Sequence, residues 1–187
     1  MRKLQMALND QQIILRRNID NRVVTEMCFL IDQMVQAEVK KAELFINCYG
    51  GLVEDALHLC DAITSSGIEF TAVVTANCQS CAVAVLQVCT SRFAYPNATL
   101  MVHEVEMEHS TVLHRSKSLE AYQDEIAFKY QRIQDLDTRI KQILCSRLNS
   151  DRTLFGSYYV EGNHFSSEVA LQIGLIDKIV YPVASKA

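Results

Sequence analysis

Ser80 occupies a position in the sequence that would suit a catalytic nucleophile. Residues 70–75 before it are rich in β-branched side chains and predict a buried strand. Residues 81–90 after it are almost wholly apolar and predict a buried helix that begins at Ser80. A serine at the start of a helix lies near backbone N–H groups and the positive end of the helix dipole, where an oxyanion is stabilised. This placement is typical of acyl-transfer enzymes, although most serines at such turns only cap a helix.

His103 and a double glycine could complete a site of this kind. His103 ends a strand-like run and follows Ser80 by 23 positions (103 − 80), so its imidazole could accept the serine proton. Gly50 and Gly51 end another strand-like run, and a glycine allows a substrate to approach the backbone closely. The backbone N–H groups of Gly51 and Cys81 would then be the oxyanion donors. Each residue alone also fits a structural role, so the hypothesis requires that they meet in space.

The segments that must position these residues alternate between strand and helix. The predicted strands cover residues 12–15, 42–46, 70–75, 92–95 and 100–102, and the predicted helices cover residues 23–37, 52–65 and 81–90. This alternation, with connections long enough for crossovers, predicts a single α/β domain with a mainly parallel sheet.

Residues 116–148 predict one long helix, because they contain no Gly or Pro and their apolar residues recur at three- and four-residue spacing. A helix of this length cannot be covered by the core of a domain of 187 residues. We expect it to project and to pack against another subunit. The alternative is a kinked helix that lies on its own domain.

Composition limits the other functions that the chain could have. A net charge of −4 gives no reason to expect nucleic acid or an anionic membrane as a partner. The apolar runs are too short to span a bilayer, and the amino terminus does not resemble a signal peptide, so we expect a cytoplasmic protein. Seven cysteines lie mostly in apolar segments and are expected to be buried thiols. Cys78 and Cys81 form a C-x-x-C, which without a second ligand pair is weak evidence for a metal or redox site.

Four ordered blocks of sequence resemble the family of the Clp protease proteolytic subunit, ClpP. Residues 46–51 are similar to the family's I-N-S-P-G-G, and residues 77–83 align with the segment Q-A-A-S-M-G-A around its nucleophile. Residues 96–103 match P-N-S-R-V-M-I-H, whose histidine is the family's catalytic base. Residues 165–170 and 174–177 match F-x-S-A-x-E-A and G-L-I-D. The resemblance extends over most of the chain.

This resemblance implies a role for each candidate residue and a fold for the chain. Ser80 would be the nucleophile and His103 the general base, with the N–H groups of Gly51 and Cys81 as the oxyanion hole. The implied fold is the ClpP/crotonase type of α/β fold, built from repeated β-β-α units with a projecting helix called the handle. One domain would cover residues 1–187, with a head formed by residues 1–103 and 150–187 and a handle at about residues 104–149.

Gly162 falls where the family has its catalytic aspartate. A glycine cannot orient an imidazole or stabilise its charged form. Glu161 could take over this role if the loop shifts by one residue, and Asn163 could orient the ring without supplying charge. If no third group is present, weak activity could remain from the serine, the base and the oxyanion donors.

Residues 104–110 also depart from the family, which has a glycine-rich strand along its substrate groove at this point. Here the segment is acidic and contains no glycine, with glutamates at Glu104, Glu106 and Glu108. Alternating apolar residues still allow an extended strand. Carboxylates beside a substrate groove would favour basic peptides over acidic ones, most clearly at low salt.

The resemblance further implies an endopeptidase that cleaves unfolded proteins or peptides inside a homo-oligomeric chamber of two stacked seven-membered rings. No metal or organic cofactor is needed for this chemistry. A Clp-type ATPase partner is in doubt, because only about ten residues precede the first predicted strand, where the family has a longer segment that contacts the unfoldase. The alternatives are a non-catalytic ClpP-like subunit of a mixed or regulatory assembly, and a crotonase-type acyl-CoA enzyme. The serine–histidine pair disfavours the second alternative.

Overall fold

A computed structural model describes residues 11–106, 119–149 and 152–182, apart from the side chains of residues 119–121, 152–154 and 161. Within these ranges the chain forms a seven-stranded sheet flanked by helices. The strands are β1 (Gln12–Leu15), β2 (Lys41–Cys48), β3 (Glu69–Gln79), β4 (Ser91–Ala94), β5 (Thr99–Val102), β6 (Asn163–Ser166) and β7 (Lys178–Ile179). The helices are α1 (Asn21–Gln36), α2 (Val53–Ser65), α3 (Ala82–Gln87), α4 (Leu119–Cys145), α5 (Arg152–Glu161) and α6 (Ser167–Ile173).

The sheet is mainly parallel, as the alternation of strands and helices predicts. Its main path runs in the order β1-β2-β3-β4-β7, and β5 pairs in parallel with β3 beyond the point where β4 stops. Only the pairing of β6 with β5 is antiparallel among the described strands. The prediction of an α/β fold with a mainly parallel sheet is therefore confirmed.

Helices pack over the sheet because their apolar faces match its buried positions. Helix α1 buries Val24, Met27 and Ile31 at helical spacing, and Asp20 caps its start by accepting a hydrogen bond from the N–H of Val23 at 2.7 Å. All six residues of α3 are buried, so this short helix lies in the interior of the molecule. Helix α3 is shorter than the helix predicted over residues 81–90, because residue 81 and residues 88–90 form turns and bends at its two ends. Strand β3 continues to Gln79, beyond the predicted strand.

The long helix is confirmed over the part that the structure describes, which is α4, and residues 116–118 of the prediction lie outside that part. Its carboxyl-terminal portion packs on the sheet domain through the buried residues Ile140 and Leu144. Between residues 122 and 139, no side chain of α4 is buried. Most of its described length is therefore not covered by its own chain.

A buried arginine joins the last elements of the chain to the sheet. Arg92 in β4 pairs with Asp177 at 2.5 Å, donates to the carbonyl of Gly174 at 2.7 Å and hydrogen-bonds Gln87. Burial raises the pKa of the Asp177 carboxyl, but hydrogen bonds and charge from Arg92 outweigh it and hold the pKa below its ordinary value. Separately, no helix among the described residues is long and apolar enough to cross a membrane.

Candidate active site

The carboxyl ends of three parallel strands bring the predicted site residues together. In the register of β3 with β5, Gln79 lies opposite Met101, and the N–H of Ser80 donates to the carbonyl of Met101 at 2.8 Å. Ser80 and His103 therefore leave neighbouring strands at the same edge of the sheet. Strand β2 ends at the same edge, one residue before the double glycine. Clefts at the carboxyl ends of parallel strands are where α/β proteins commonly place their sites.

Ser80 lies in a strained turn between β3 and α3. Its φ angle is +55°, in the left-handed region that non-glycine residues seldom adopt, and its side chain does not cap the helix. Gly50 packs directly against this turn. A Cβ atom at Gly50 would lie 2.7 Å from the Cβ of Ser80, closer than side-chain atoms can approach. The backbone thus holds the serine hydroxyl at the mouth of a cleft, as a nucleophile requires.

The hydroxyl of Ser80 is hydrogen-bonded to the imidazole of His103. The distance from Ser80 Oγ to His103 Nε2 is 2.8 Å. For the imidazole to accept the serine proton, Nε2 must be unprotonated and the ring proton must reside on Nδ1. The geometry meets the first requirement of nucleophilic catalysis by serine, which is contact between the nucleophile and its base.

Gly51 and Cys81 line the same cleft as Ser80 and His103. A side chain at Gly51 is excluded, because its Cβ would lie 2.1 Å from the carbonyl oxygen of Ile19. The thiol of Cys81 donates to the carbonyl of Gly51 at 3.5 Å and so joins the two segments that carry the proposed donors. The four residues named from the sequence therefore form one constellation.

The cysteines around this site are inert thiols. Cys78 and Cys81, which form the C-x-x-C, are both buried and unbridged. Burial raises the pKa of Cys81 to about 12, and it also raises the pKa of Cys78. The thiolate is the reactive form of cysteine, so neither residue competes with Ser80 as a nucleophile near neutral pH.

Gly162 lies beside His103. An aspartate at this position, as in the family, would lie next to the imidazole. Val102 pairs with Asn163 in the antiparallel register of β5 and β6, so Gly162 follows directly opposite His103. A Cβ atom at Gly162 would lie 3.6 Å from the Cβ of His103, at ordinary contact distance. Asn163 donates its side-chain N–H to the carbonyl of Tyr158 and does not hydrogen-bond the imidazole. The side chain of Glu161 lies outside the described part of the structure.

Nδ1 of His103 is consequently buried without a hydrogen-bond partner in the described structure. Among the side chains that the structure describes, Glu106 lies at ion-pair distance, with its Oε1 3.5 Å from Nδ1 on the segment that follows β5. This is ion-pair distance without hydrogen-bond geometry. Sequence reasoning assigned Glu106 to the substrate groove and did not connect it with the base. Its spacing of three residues from the histidine, within an acidic stretch, was the available signal.

The segment that carries Glu106 is attached to the long helix. The carboxylate of Asp137 in α4 accepts hydrogen bonds from the N–H of Val105 at 3.1 Å and from the hydroxyl of Tyr159 at 2.8 Å. Lys141 pairs with the same carboxylate at 2.8 Å and with Glu104 at 3.6 Å. Residues 103–106 are not a strand, and residues 107–109 of the expected alternating pattern lie outside the described residues.

The Clp protease family model matches residues 1–182. The chain belongs to the Clp protease family. No curated protein sequence matched it. Membership in the Clp protease family supports a serine peptidase in general, and it agrees with the resemblance that the sequence blocks indicated. Clp protease family members in general form ring assemblies and work with ATPase partners.

Proposed function

We propose that the chain is a ClpP-type serine endopeptidase with Ser80 as nucleophile and His103 as general base. The observation that carries this proposal is the 2.8 Å contact between Ser80 Oγ and His103 Nε2 at a strained turn. Strain of this kind persists only where the surrounding structure enforces it, and it is commonly associated with functional residues. Gly51 and Cys81 supply the oxyanion donors from their backbone N–H groups.

The reaction proceeds through an acyl-enzyme. Ser80 Oγ attacks the carbonyl carbon of the scissile peptide bond while its proton passes to His103 Nε2. The oxyanion of the tetrahedral intermediate accepts hydrogen bonds from the N–H groups of Gly51 and Cys81. Collapse of the intermediate breaks the C–N bond, and the Nε2 proton is given to the leaving amine. Water then attacks the ester with the same histidine as base, which releases the acid and restores the serine.

The substrate is an extended peptide that binds along the edge of the cleft. A second cleft adjoins the site between the start of α2 and α4, and its apolar lining includes Leu52, Val53, Ile133 and Leu136. It shares Gly51 with the reaction site, so it is placed to receive a side chain next to the scissile bond. Charged residues also line this cleft, so it suits a substrate side chain with an apolar body and a polar end; they are Glu54, Asp55, Glu106, Lys129 and Arg132.

The working unit is a homo-oligomeric chamber, with a double ring of fourteen subunits as the specific form. Its support in this chain is the exposed apolar surface of α4, which includes Tyr122, Ile126, Phe128 and Tyr130. Tyr122, Ile126 and Tyr130 follow four-residue spacing and share one face, whereas Phe128 lies on the opposite side of the helix. A helix with apolar groups on two sides is suited to packing between other subunits. Partnership with a Clp-type ATPase remains a family-level expectation for this chain.

A catalytically inactive structural subunit is the second candidate, and the absence of a side chain at Gly162 favours it. The two functions are separated by treating the protein with a fluorophosphonate probe and by measuring hydrolysis of fluorogenic peptides. We expect Ser80→Ala to abolish both reactions and His103→Ala to slow both by at least about 10³-fold. His58→Ala, which alters an exposed histidine on α2, is the matched control and should react as the wild type does.

A further inference from the structure

The catalytic base proposed above lacks a partner on the side facing away from the serine. Nδ1 of His103 is buried and makes no hydrogen bond within the described structure. When Nε2 takes the serine proton, the ring becomes a cation, and serine peptidases ordinarily place a carboxylate against the other nitrogen to orient the ring and stabilise that charge. Gly162 cannot provide a carboxylate, and the side chain of Asn163 is bonded to Tyr158.

We propose that Glu106 is the positioning residue for His103 and takes the role of the absent aspartate from a different segment of the chain. Its Oε1 lies 3.5 Å from Nδ1. The Glu106 side chain is 81% exposed and reaches the imidazole from the solvent side of the cleft. A small rotation of this exposed side chain, or coverage of the cleft by bound peptide, converts the ion-pair contact into a hydrogen bond from Nδ1–H.

The backbone around Glu106 is held in place although its side chain is exposed. The N–H of the preceding residue, Val105, donates to Asp137 on α4. The residue before that, Glu104, is paired with Lys141 on the same helix. Lys141 is also bonded to Asp137, so both of these carboxylates are already engaged by the same lysine. Glu106 is the carboxylate within the described structure that remains in contact with the imidazole.

The exposure of Glu106 determines how large its effect is. An exposed carboxylate is screened by water and salt, so it stabilises the imidazolium less than a buried aspartate does. We therefore expect Glu106→Gln to lower kcat by about tenfold, well short of the roughly 10⁴-fold loss that follows removal of a buried triad aspartate. Because Glu106 acts through the imidazole, KM for a neutral peptide and the melting temperature should stay close to the wild-type values.

The matched control is Glu69→Gln. Glu69 is also an exposed carboxylate with a cationic neighbour, Lys41, and it lies at the opposite end of β3 from Ser80. Its variant should have wild-type kcat. A loss of kcat in Glu106→Gln no larger than that in Glu69→Gln would overturn the proposal.

A second variant places a carboxylate at the position where the family has its catalytic aspartate. Gly162 has a φ angle of +70°, which aspartate tolerates better than most residues, and a Cβ atom there meets His103 at 3.6 Å. If Glu106 acts on Nδ1, the aspartate introduced by Gly162→Asp takes over that nitrogen, so Glu106→Gln should cost far less than tenfold in kcat in the Gly162→Asp background. A merely structural role for Glu106 would cost the same factor in kcat in both backgrounds.

The inference rests on the proposed peptidase function, and the two fail differently. If the wild type never forms a fluorophosphonate adduct at Ser80, the peptidase proposal fails. If the wild type forms the adduct but Glu106→Gln lowers kcat by the same factor with and without Gly162→Asp, Ser80 is a nucleophile but Glu106 does not fill the third position. That second result contradicts only the present inference.

Discussion

At the scale of single residues, the double glycine performs a task that the sequence conceals. Gly50 approaches Ser80 so closely that a Cβ atom would lie 2.7 Å from the serine Cβ. Its own φ angle of +101° also disfavours other residues. Gly50 thereby helps to fix the turn that presents the hydroxyl to His103. The sequence motif suggested a donor role for Gly51, whereas the close approach of Gly50 to Ser80 depends on the pairing of β2 with β3.

Gly50→Ala is therefore expected to displace Ser80 and to lower the rate of fluorophosphonate labelling by at least about tenfold. Gly67→Ala is its control, because Gly67 also has a positive φ, +69°, but a Cβ atom there meets nothing within 4 Å. Both variants incur backbone strain of about 1–2 kcal/mol. Equal labelling rates in the two variants, at matched stability, would refute a role for Gly50 in positioning the serine.

At the scale of elements, α4 is joined to the catalytic edge of the sheet through Asp137. Burial raises the pKa of this carboxyl, but hydrogen bonds from Lys141, Val105 and Tyr159 outweigh it and hold the pKa below its ordinary value. The stability that this group contributes is fully present above its unfolded pKa of about 4 and is lost as the pH falls through its lower folded value. Acid should thus loosen the segment that carries Glu106.

Asp137→Asn keeps the size of the side chain but removes its charge. We expect a loss of about 1–2 kcal/mol in the free energy of unfolding, because charge-assisted hydrogen bonds are the stronger kind. The stability difference from the wild type should shrink below about pH 4, where the wild-type carboxyl itself takes up a proton. Denaturant unfolding at neutral and acidic pH measures both effects. Asp135→Asn on the exposed side of α4 is the control, and a pH-independent difference for Asp137→Asn would contradict the assignment.

The sequence predicted the elements with strong periodicity and missed those without it. Helix α1, β1 and the described part of α4 agree with prediction because each has a clear apolar pattern. Strand β6 was not predicted as a strand, since Phe165 is its only apolar residue and its pairing with β5 is long-range. This pairing is what places Gly162 beside His103. The contact of Glu106 with the imidazole could not be predicted from the sequence either, because its distance from Nδ1 depends on the hydrogen bond by which α4 holds residues 104–106.

At the scale of the whole molecule, the exposed apolar groups of α4 account for the expectation that the chain self-associates. Phe128 is 69% exposed on a helix that also exposes Tyr122, Ile126 and Tyr130, and several large apolar groups exposed on one element are typical of an interaction surface. Phe128→Ser should therefore reduce the oligomeric mass measured by light scattering and leave the circular dichroism spectrum unchanged. Tyr181→Ser removes a similarly exposed aromatic group from outside α4 and is the control. An unchanged mass for Phe128→Ser would argue against packing through this face of α4.

The proposed peptidase function depends on activation of Ser80 by His103. Mass-spectrometric mapping of the fluorophosphonate adduct, in the wild type and in His103→Ala, measures this activation. We expect a single adduct on Ser80 in the wild type, no adduct on the buried thiols, and nearly complete loss of labelling in His103→Ala. An unlabelled wild type, or labelling of Ser80 that persists unchanged without His103, would contradict it.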